Sequence, residues 1–174
     1  MSLQVSVSTK GALLSGKAPE VIQTGLDRFV TQVTTFLLVE VQKRTPQGVL
    51  GAQGGLLGSI QKDVQGKGTP LIKGIVMSAH LTAAVIEKGR KPGKGIASAV
   101  PGDKYVSPLI PWVRAKLGIS GKDAERVAYL VGRKIKAEGF EGAHMFEKAV
   151  TENIGRIESM AKAAGLTIAM ELSE

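Results

Sequence analysis

The sequence contains no cysteine, only two histidines and few aromatic residues. Without cysteine, the chain can form neither a disulfide framework nor a thiolate metal site. Phenylalanine, tryptophan and tyrosine make up 4% of the 174 residues, which leaves few rings on which single-stranded bases can stack. These absences exclude disulfide-stabilised and thiolate-metal proteins, and they argue against a reader of single-stranded nucleic acid.

Long apolar runs are also missing. No stretch reaches the roughly 20 residues that a membrane-spanning helix requires, and the best candidate, residues 36–41, is interrupted by Glu40. The N-terminus lacks the basic start and apolar core of a secretory signal peptide. We therefore expect a soluble protein made in the cytoplasm, with no membrane partner.

Positive charge is present in excess and is unevenly spread. The net charge is +8. Residues 61–118 hold ten basic and three acidic residues, a local charge of +7, whereas residues 1–60 sum to +2 and residues 119–174 to −1. Such a concentrated field attracts phosphate or acidic protein surfaces; the alternative is a solvated face that only maintains solubility. The residues singled out as an interface or DNA-facing loop are Lys88, Arg90, Lys91, Lys94 and Lys104.

The spacing of apolar residues predicts an α+β protein. Alternation predicts strands over residues 3–8, 59–65, 71–78 and 166–172, the middle two forming a hairpin. Helical spacing predicts helices over residues 18–44, 81–88, 108–117, from Ser120 to Gly139, and 143–164 with Gly165 as C-cap. Ser120, with Asp123 three residues on, fits a capping box. We expect a single domain over residues 1–174, in which a small antiparallel sheet packs against the long N-terminal helix and several C-terminal helices. A flexible basic loop should cover about 89–107.

The sequence contains few residue patterns that are typical of catalysis. His80 and His144 have no obvious histidine or acidic partner, and Gly89-Arg-Lys-Pro-Gly-Lys-Gly95 has three residues where a phosphate-binding P-loop needs four. The close carboxylates, Glu138 with Glu141 and Asp123 with Glu125, fit solvated charges better than a general acid and base. No nucleophile elbow is visible. The sequence favours a non-enzymatic protein without metal or cofactor.

Trp112 is the one tryptophan of the chain. It lies beside Pro111 in a predicted helix that also holds Ile110 and Val113. A large ring among apolar neighbours at helical spacing is more typical of a core than of a ligand platform. We therefore predict that Trp112 anchors the core.

Several segments, taken in order, resemble the minor tail or tail-completion family of long-tailed bacteriophages, the gene-product-ten-like proteins of lambdoid phages. The resemblance covers roughly residues 18–160. It begins with a long helix ending at Arg44-Thr-Pro46, followed by Gly55-Leu-Leu-Gly-Ser-Ile60 and a helix ending Ile86-Glu-Lys-Gly89. A basic proline-containing loop, the Ile110-Pro-Trp-Val-Arg-Ala-Lys-Leu117 helix and an Ile-x-x-x-Gly-Phe-x-Gly element, Ile135 to Gly142, complete the order.

The resemblance implies a structural protein of the virion at the head–tail junction, in the neck or tail, made in the host cytoplasm. It implies a ring of its own copies, hexameric in that family, that contacts connector, tail-terminator or tail-tube proteins. The basic loop would then face a protein neighbour or make non-specific contact with DNA in the channel. A small basic nucleic-acid-binding protein acting alone is the alternative, favoured by the charge of residues 61–118.

Overall fold

The computed structural model describes residues 16–48, 55–93 and 109–173. Within these ranges the chain forms seven helices and two small two-stranded sheets, so the predicted α+β class is confirmed. The strand predicted over residues 3–8 lies outside the described residues, as do Lys94, Lys104 and the rest of the basic loop beyond Gly93.

Helices and strands are interspersed along the described part of the chain. The helices are α1 (Ala18–Arg44), α2 (Gly55–Gly58), α3 (Ala83–Lys88), α4 (Leu109–Leu117), α5 (Gly121–Glu138), α6 (Met145–Thr151) and α7 (Ile154–Ser173). The strands are β1 (Ile60–Gln65), β2 (Lys73–Ser78), β3 (Gly89–Arg90) and β4 (Phe140–Glu141). β1 pairs with β2, and β3 pairs with β4. The long first helix and the central hairpin therefore lie where the sequence predicts them.

The chain divides into two compact units, each assembled from separate stretches of sequence. Unit 1 comprises Met1–Val39, Lys62–Val76 and Val150–Glu174, and unit 2 comprises Glu40–Gln61 and Met77–Ala149. Helix α1 and the β1–β2 hairpin each contribute residues to both units. A single domain over residues 1–174 stays a prediction.

In unit 1 the hairpin packs against a stretch of α1 that is rich in β-branched residues. Such residues have low helix propensity. Thr34 is buried, and its hydroxyl donates to the carbonyl of Val30 at 2.6 Å, which satisfies a polar group that would otherwise be costly to bury. Gly74 of β2 lies directly against Thr34, and the Lys62 ammonium donates to the Thr35 hydroxyl at 2.6 Å. Packing against the hairpin thus supports the helix where its propensity is weakest.

The C-terminal segment of unit 1 is a helix, so the strand predicted over residues 166–172 is wrong. Helix α7 runs through this segment and contacts α1: Ile168 lies against Gly25, and Glu171 forms an ion pair with Arg28 at 2.6 Å. Met160, Ala164 and Ile168 recur every four residues on the half-buried side. Contact with α1 therefore selects the helical period over the alternation of Leu166-Thr-Ile-Ala-Met-Glu-Leu172.

The helix predicted over residues 143–164 is two helices. A turn at Glu152 and Asn153 separates α6 from α7, and Gly165 lies inside α7 instead of capping a helix end. Because α7 continues past Gly165 with a contacting neighbour, the glycine does not need to end it. The predicted C-cap is therefore wrong.

The core of unit 2 lies between α4 and α5. Ile110 and Val113 from α4 meet Ala124 and Ala128 from α5, and all four side chains are buried. The alanines let the two helices approach closely. At the start of α5, Ser120 occupies the N-cap position but makes no side-chain capping hydrogen bond. The predicted capping box is therefore wrong.

The last turn of α1 packs against α6, also within unit 2. Val41, Thr45, Met145 and Ala149 are buried there. The Thr45 hydroxyl lies 2.7 Å from the carbonyl oxygen of Val41, to which it donates, and 3.3 Å from the sulfur of Met145. The helix thus ends at Arg44 and is followed by a buried, hydrogen-bonded threonine just before Pro46.

The neighbouring Glu40 gives a prediction for acid stability. Hydrogen bonds from Lys43 at 2.7 Å and Arg44 at 2.6 Å lower the pKa of Glu40 from 4.5 to about 2. A lowered folded-state pKa stabilises the fold above the unfolded-state pKa, and this contribution disappears as the pH falls to about 2. Glu40→Gln should therefore lower the free energy of unfolding by about 1–2 kcal/mol near neutral pH. Its unfolding curve in urea should approach that of the wild type near the acidic end. If the two proteins differed equally in free energy of unfolding at neutral and at acidic pH, this assignment would be contradicted.

Candidate functional site

The base of the basic loop is built by two segments that are far apart in sequence. Strand β3 follows α3, strand β4 follows α5, and the two pair antiparallel with Gly89 opposite Glu141 and Arg90 opposite Phe140. The backbone N–H of Gly93 donates to the carbonyl of Lys136 at 2.7 Å. The first residues of the loop are therefore fixed to the C-terminal end of α5.

Three glycines make this close backbone approach possible. A Cβ atom on Gly89 would overlap the carbonyl oxygen of Phe140, one on Gly139 would overlap that of Arg90, and one on Gly142 would overlap that of Glu87. Gly89 and Gly139 also have φ values of 73° and 74° with extended ψ, a conformation that is essentially restricted to glycine. The motif ending Ile86-Glu-Lys-Gly89 thus contacts the Gly-Phe-Glu-Gly142 motif directly.

Glu87 joins α3 to the start of α6. Its carboxylate accepts the backbone N–H groups of Phe146 and Glu147, each at 3.1 Å. Its carbonyl oxygen accepts the N–H of His144 at 3.1 Å, and the carbonyl oxygen of Ile86 accepts the N–H of Ala143 at 2.7 Å. Unpaired N–H groups and a positive dipole end make a helix start favourable for a carboxylate. The geometry gives Glu87 a structural role at the base of the loop.

The predicted basic side chains fall into two groups. Lys88 and Lys91 are exposed and Arg90 is half-buried, all three beside the β3–β4 pair, whereas Lys94 and Lys104 lie outside the described residues. The structure adds Lys136, which the apolar spacing of α5 does not single out. The spacing of cations on the opposite face of that helix is the feature of the sequence that points to it.

The predicted core anchor is wrong. Trp112 keeps 37% of its surface exposed, whereas Ile110 and Val113 in the same helix are 8% and 0% exposed. α4 turns the two smaller side chains towards α5, which leaves the indole at the edge of the core. Ile110 and Val113 are the anchors of this helix.

The histidines and paired carboxylates have local partners. His80 Nδ1 lies 2.7 Å from the Thr82 hydroxyl. His144 Nδ1 lies 2.9 Å from the carboxylate of Glu147, an acidic partner that the sequence analysis missed although it is three residues further along a helix start. Glu138 pairs with Lys134 at 3.8 Å and Asp123 with Arg126 at 3.7 Å. Across residues 16–48, 55–93 and 109–173, no three histidines or carboxylates are grouped to hold a metal ion.

The geometry defines one candidate site, the glycine-dependent β3–β4 junction, which carries exposed cations at the base of the loop. None of the helices in the described ranges has the length and hydropathy needed to span a membrane.

Comparison with known proteins finds no relative: neither a family model, nor a curated protein, nor a solved structure matches this chain.

Proposed function

We propose that the protein is a structural component of the head–tail junction of a tailed bacteriophage. In this proposal it assembles as a ring of its own copies and contacts connector, tail-terminator or tail-tube proteins. The order of sequence motifs supports it. The contact between the Ile86–Gly89 and Ile135–Gly142 motifs in one junction adds support, because it gives both a common architectural role.

The observation that carries the proposal is the uncovered apolar surface of α7. None of its 20 residues is buried, and Leu166 and Met170 are 68% and 65% exposed. Residues four apart lie on one side of a helix, so these two side chains form one patch. Covering each would contribute about 1.5–3 kcal/mol, and contiguous exposed apolar surface is typical of an interaction site.

A closed ring requires two different complementary surfaces on each copy. Unit 2 supplies further exposed apolar side chains, including Trp112 and Leu117 on α4. The α7 patch and these α4 side chains are candidates for the two sides of such an interface.

The proposal is tested by measuring the molecular mass in solution by light scattering, with and without duplex DNA and at two salt concentrations. The measurement should show assembly without DNA, either of the protein alone or after a tail or connector protein is added. Binding of DNA by a persistent monomer, lost as salt rises, would instead favour the second candidate. That candidate, a small nucleic-acid-binding protein acting alone, is favoured by the exposed Lys88 and Lys91.

Leu166→Glu should disrupt this assembly. A carboxylate in the α7 patch must be desolvated when a neighbour covers it, so the association constant should fall at least about tenfold. Thr167→Glu is the matched control, because Thr167 is exposed on the same helix but about 100° around it. Sedimentation of both variants measures the effect. Equal loss of assembly in the two would argue against the α7 patch as the interface.

A further inference from the structure

The outward face of α5 carries a row of four cations and one tyrosine. Lys122, Arg126, Tyr129, Arg133 and Lys136 follow one another at steps of four, three, four and three residues, and all five are exposed. These steps keep the side chains on one side of a helix. Between Lys122 and Lys136 the line is roughly 21 Å long at 1.5 Å per residue. We call these five residues the α5 cationic stripe.

The stripe is opposite the side of α5 that packs. Ala124, Ala128 and Gly132 are the buried residues of the helix, and the first two belong to the core with α4. Folding therefore holds the stripe towards solvent on a rigid element. A rigid helix presents its charges in a fixed row, so binding a matching row of anions costs little ordering entropy.

Little of this charge is neutralised by the residues that the structure describes. Arg126 lies 3.7 Å from Asp123, but both side chains are more than three-quarters exposed, and such pairs are weak. Among the described residues, no carboxylate is within ion-pairing distance of Lys122, Arg133 or Lys136. The acidic residues of the helix lie beside or away from the stripe: Glu125 flanks it, and Glu138 pairs with Lys134.

The stripe is continuous with the base of the basic loop. The carbonyl of Lys136 accepts the N–H of Gly93, and Gly139 lies against the backbone of Arg90 and Lys91. The last cation of the stripe is thus placed next to the first cations of the loop. Carboxylates are also near this junction: Glu141 is opposite Gly89 in the β3–β4 pair, and Glu87 accepts the N–H groups at the start of α6.

We propose that the α5 cationic stripe, extended by the exposed Lys91, binds the phosphate backbone of duplex DNA. Protein interfaces have apolar centres from which charged residues are depleted, whereas this surface is four cations around one tyrosine. A single ring is too few for stacking along a single strand, so a duplex fits better. Contacts of this type are blind to base sequence. Binding of DNA by this surface is a function additional to the assembly proposed above, and it does not depend on that assembly.

The test compares two double variants of equal charge. Arg133→Gln with Lys136→Gln removes two cations from the stripe, and Lys134→Gln with Lys148→Gln removes two exposed cations elsewhere in unit 2. Fluorescence anisotropy of a labelled duplex of about 20 base pairs, titrated at several salt concentrations, gives the affinity and its salt dependence. The stripe variant should bind at least about tenfold more weakly at low salt. Its log–log salt slope should fall in magnitude by about 2, and the control should keep the wild-type slope.

Several outcomes would overturn the proposal. These are no binding of duplex by the wild type, equal losses in the two double variants, or binding of polyglutamate in preference to DNA, which would identify an acidic protein as the partner. Arg133→Lys with Lys136→Arg keeps the charge and must keep the salt slope. If the glutamine double variant does not fold, as judged by circular dichroism, each single variant must lower the slope by about 1; an unchanged slope rejects the stripe.

Discussion

Gly89→Ala should destabilise the protein by about 3 kcal/mol or more, the largest effect we expect from a single methyl group. The backbone of Gly89 has φ 73° and ψ −167°, and a non-glycine residue held in this region costs about 1–3 kcal/mol. The added Cβ also overlaps the Phe140 carbonyl and the Gly142 nitrogen. Because these are backbone atoms, they cannot rotate away as a side chain can. The two costs therefore add.

Urea unfolding of the variant measures this loss. Gly118→Ala is the matched control, since Gly118 also has a positive φ, 68°, but a Cβ atom added there would meet no other atom within 4 Å. The control should lose only about 1 kcal/mol from backbone strain. In Gly89→Ala the amide of Gly93 should also exchange faster with solvent, because its bond to Lys136 depends on the same junction. Equal destabilisation by the two substitutions would show that backbone contact at Gly89 is unimportant.

Gly25→Leu should separate α7 from α1 in unit 1. Gly25 is buried, and a Cβ atom there would overlap the side chain of Ile168. Leucine improves helix propensity by up to about 1 kcal/mol relative to glycine, but overpacking costs about 1–3 kcal/mol, and a whole leucine side chain has no room at this crossing. We expect the steric cost to exceed the gain in propensity, with a net loss of about 1–2 kcal/mol. Urea unfolding measures the loss, and hydrogen exchange along α7 locates it.

Shortening the partner should rescue this crossing. In a double-mutant cycle, Ile168→Ala combined with Gly25→Leu should be less destabilising than the sum of the single changes, because the new side chain occupies the space that is vacated. Gly165→Ala is the matched control within a helix, since no atom lies within 4 Å of a Cβ at that position. It should stabilise the protein by up to about 1 kcal/mol. Additive effects at Gly25 and Ile168 would contradict their contact.

The candidate site could be predicted only in part. The excess of cations around Lys88, Arg90 and Lys91 is visible in the sequence, because formal charge depends on residue type alone. Their neighbour Lys136 lies over 40 residues further along the chain, and only the β3–β4 pairing brings it to the loop. The α5 cationic stripe has a local signal, the three-and-four spacing of its cations. Its exposure follows from the packing of α5 against α4.

Residue type and local periodicity are enough to predict the α+β class, the helix Ala18–Arg44, the β1–β2 hairpin and the concentration of positive charge. Contacts between distant segments determine which of two compatible periods residues 166–172 follow, where Trp112 lies and which glycines cannot be replaced. Backbone preference and apolar spacing act between residues a few positions apart, whereas burial and close backbone approach arise from partners that are distant in the chain.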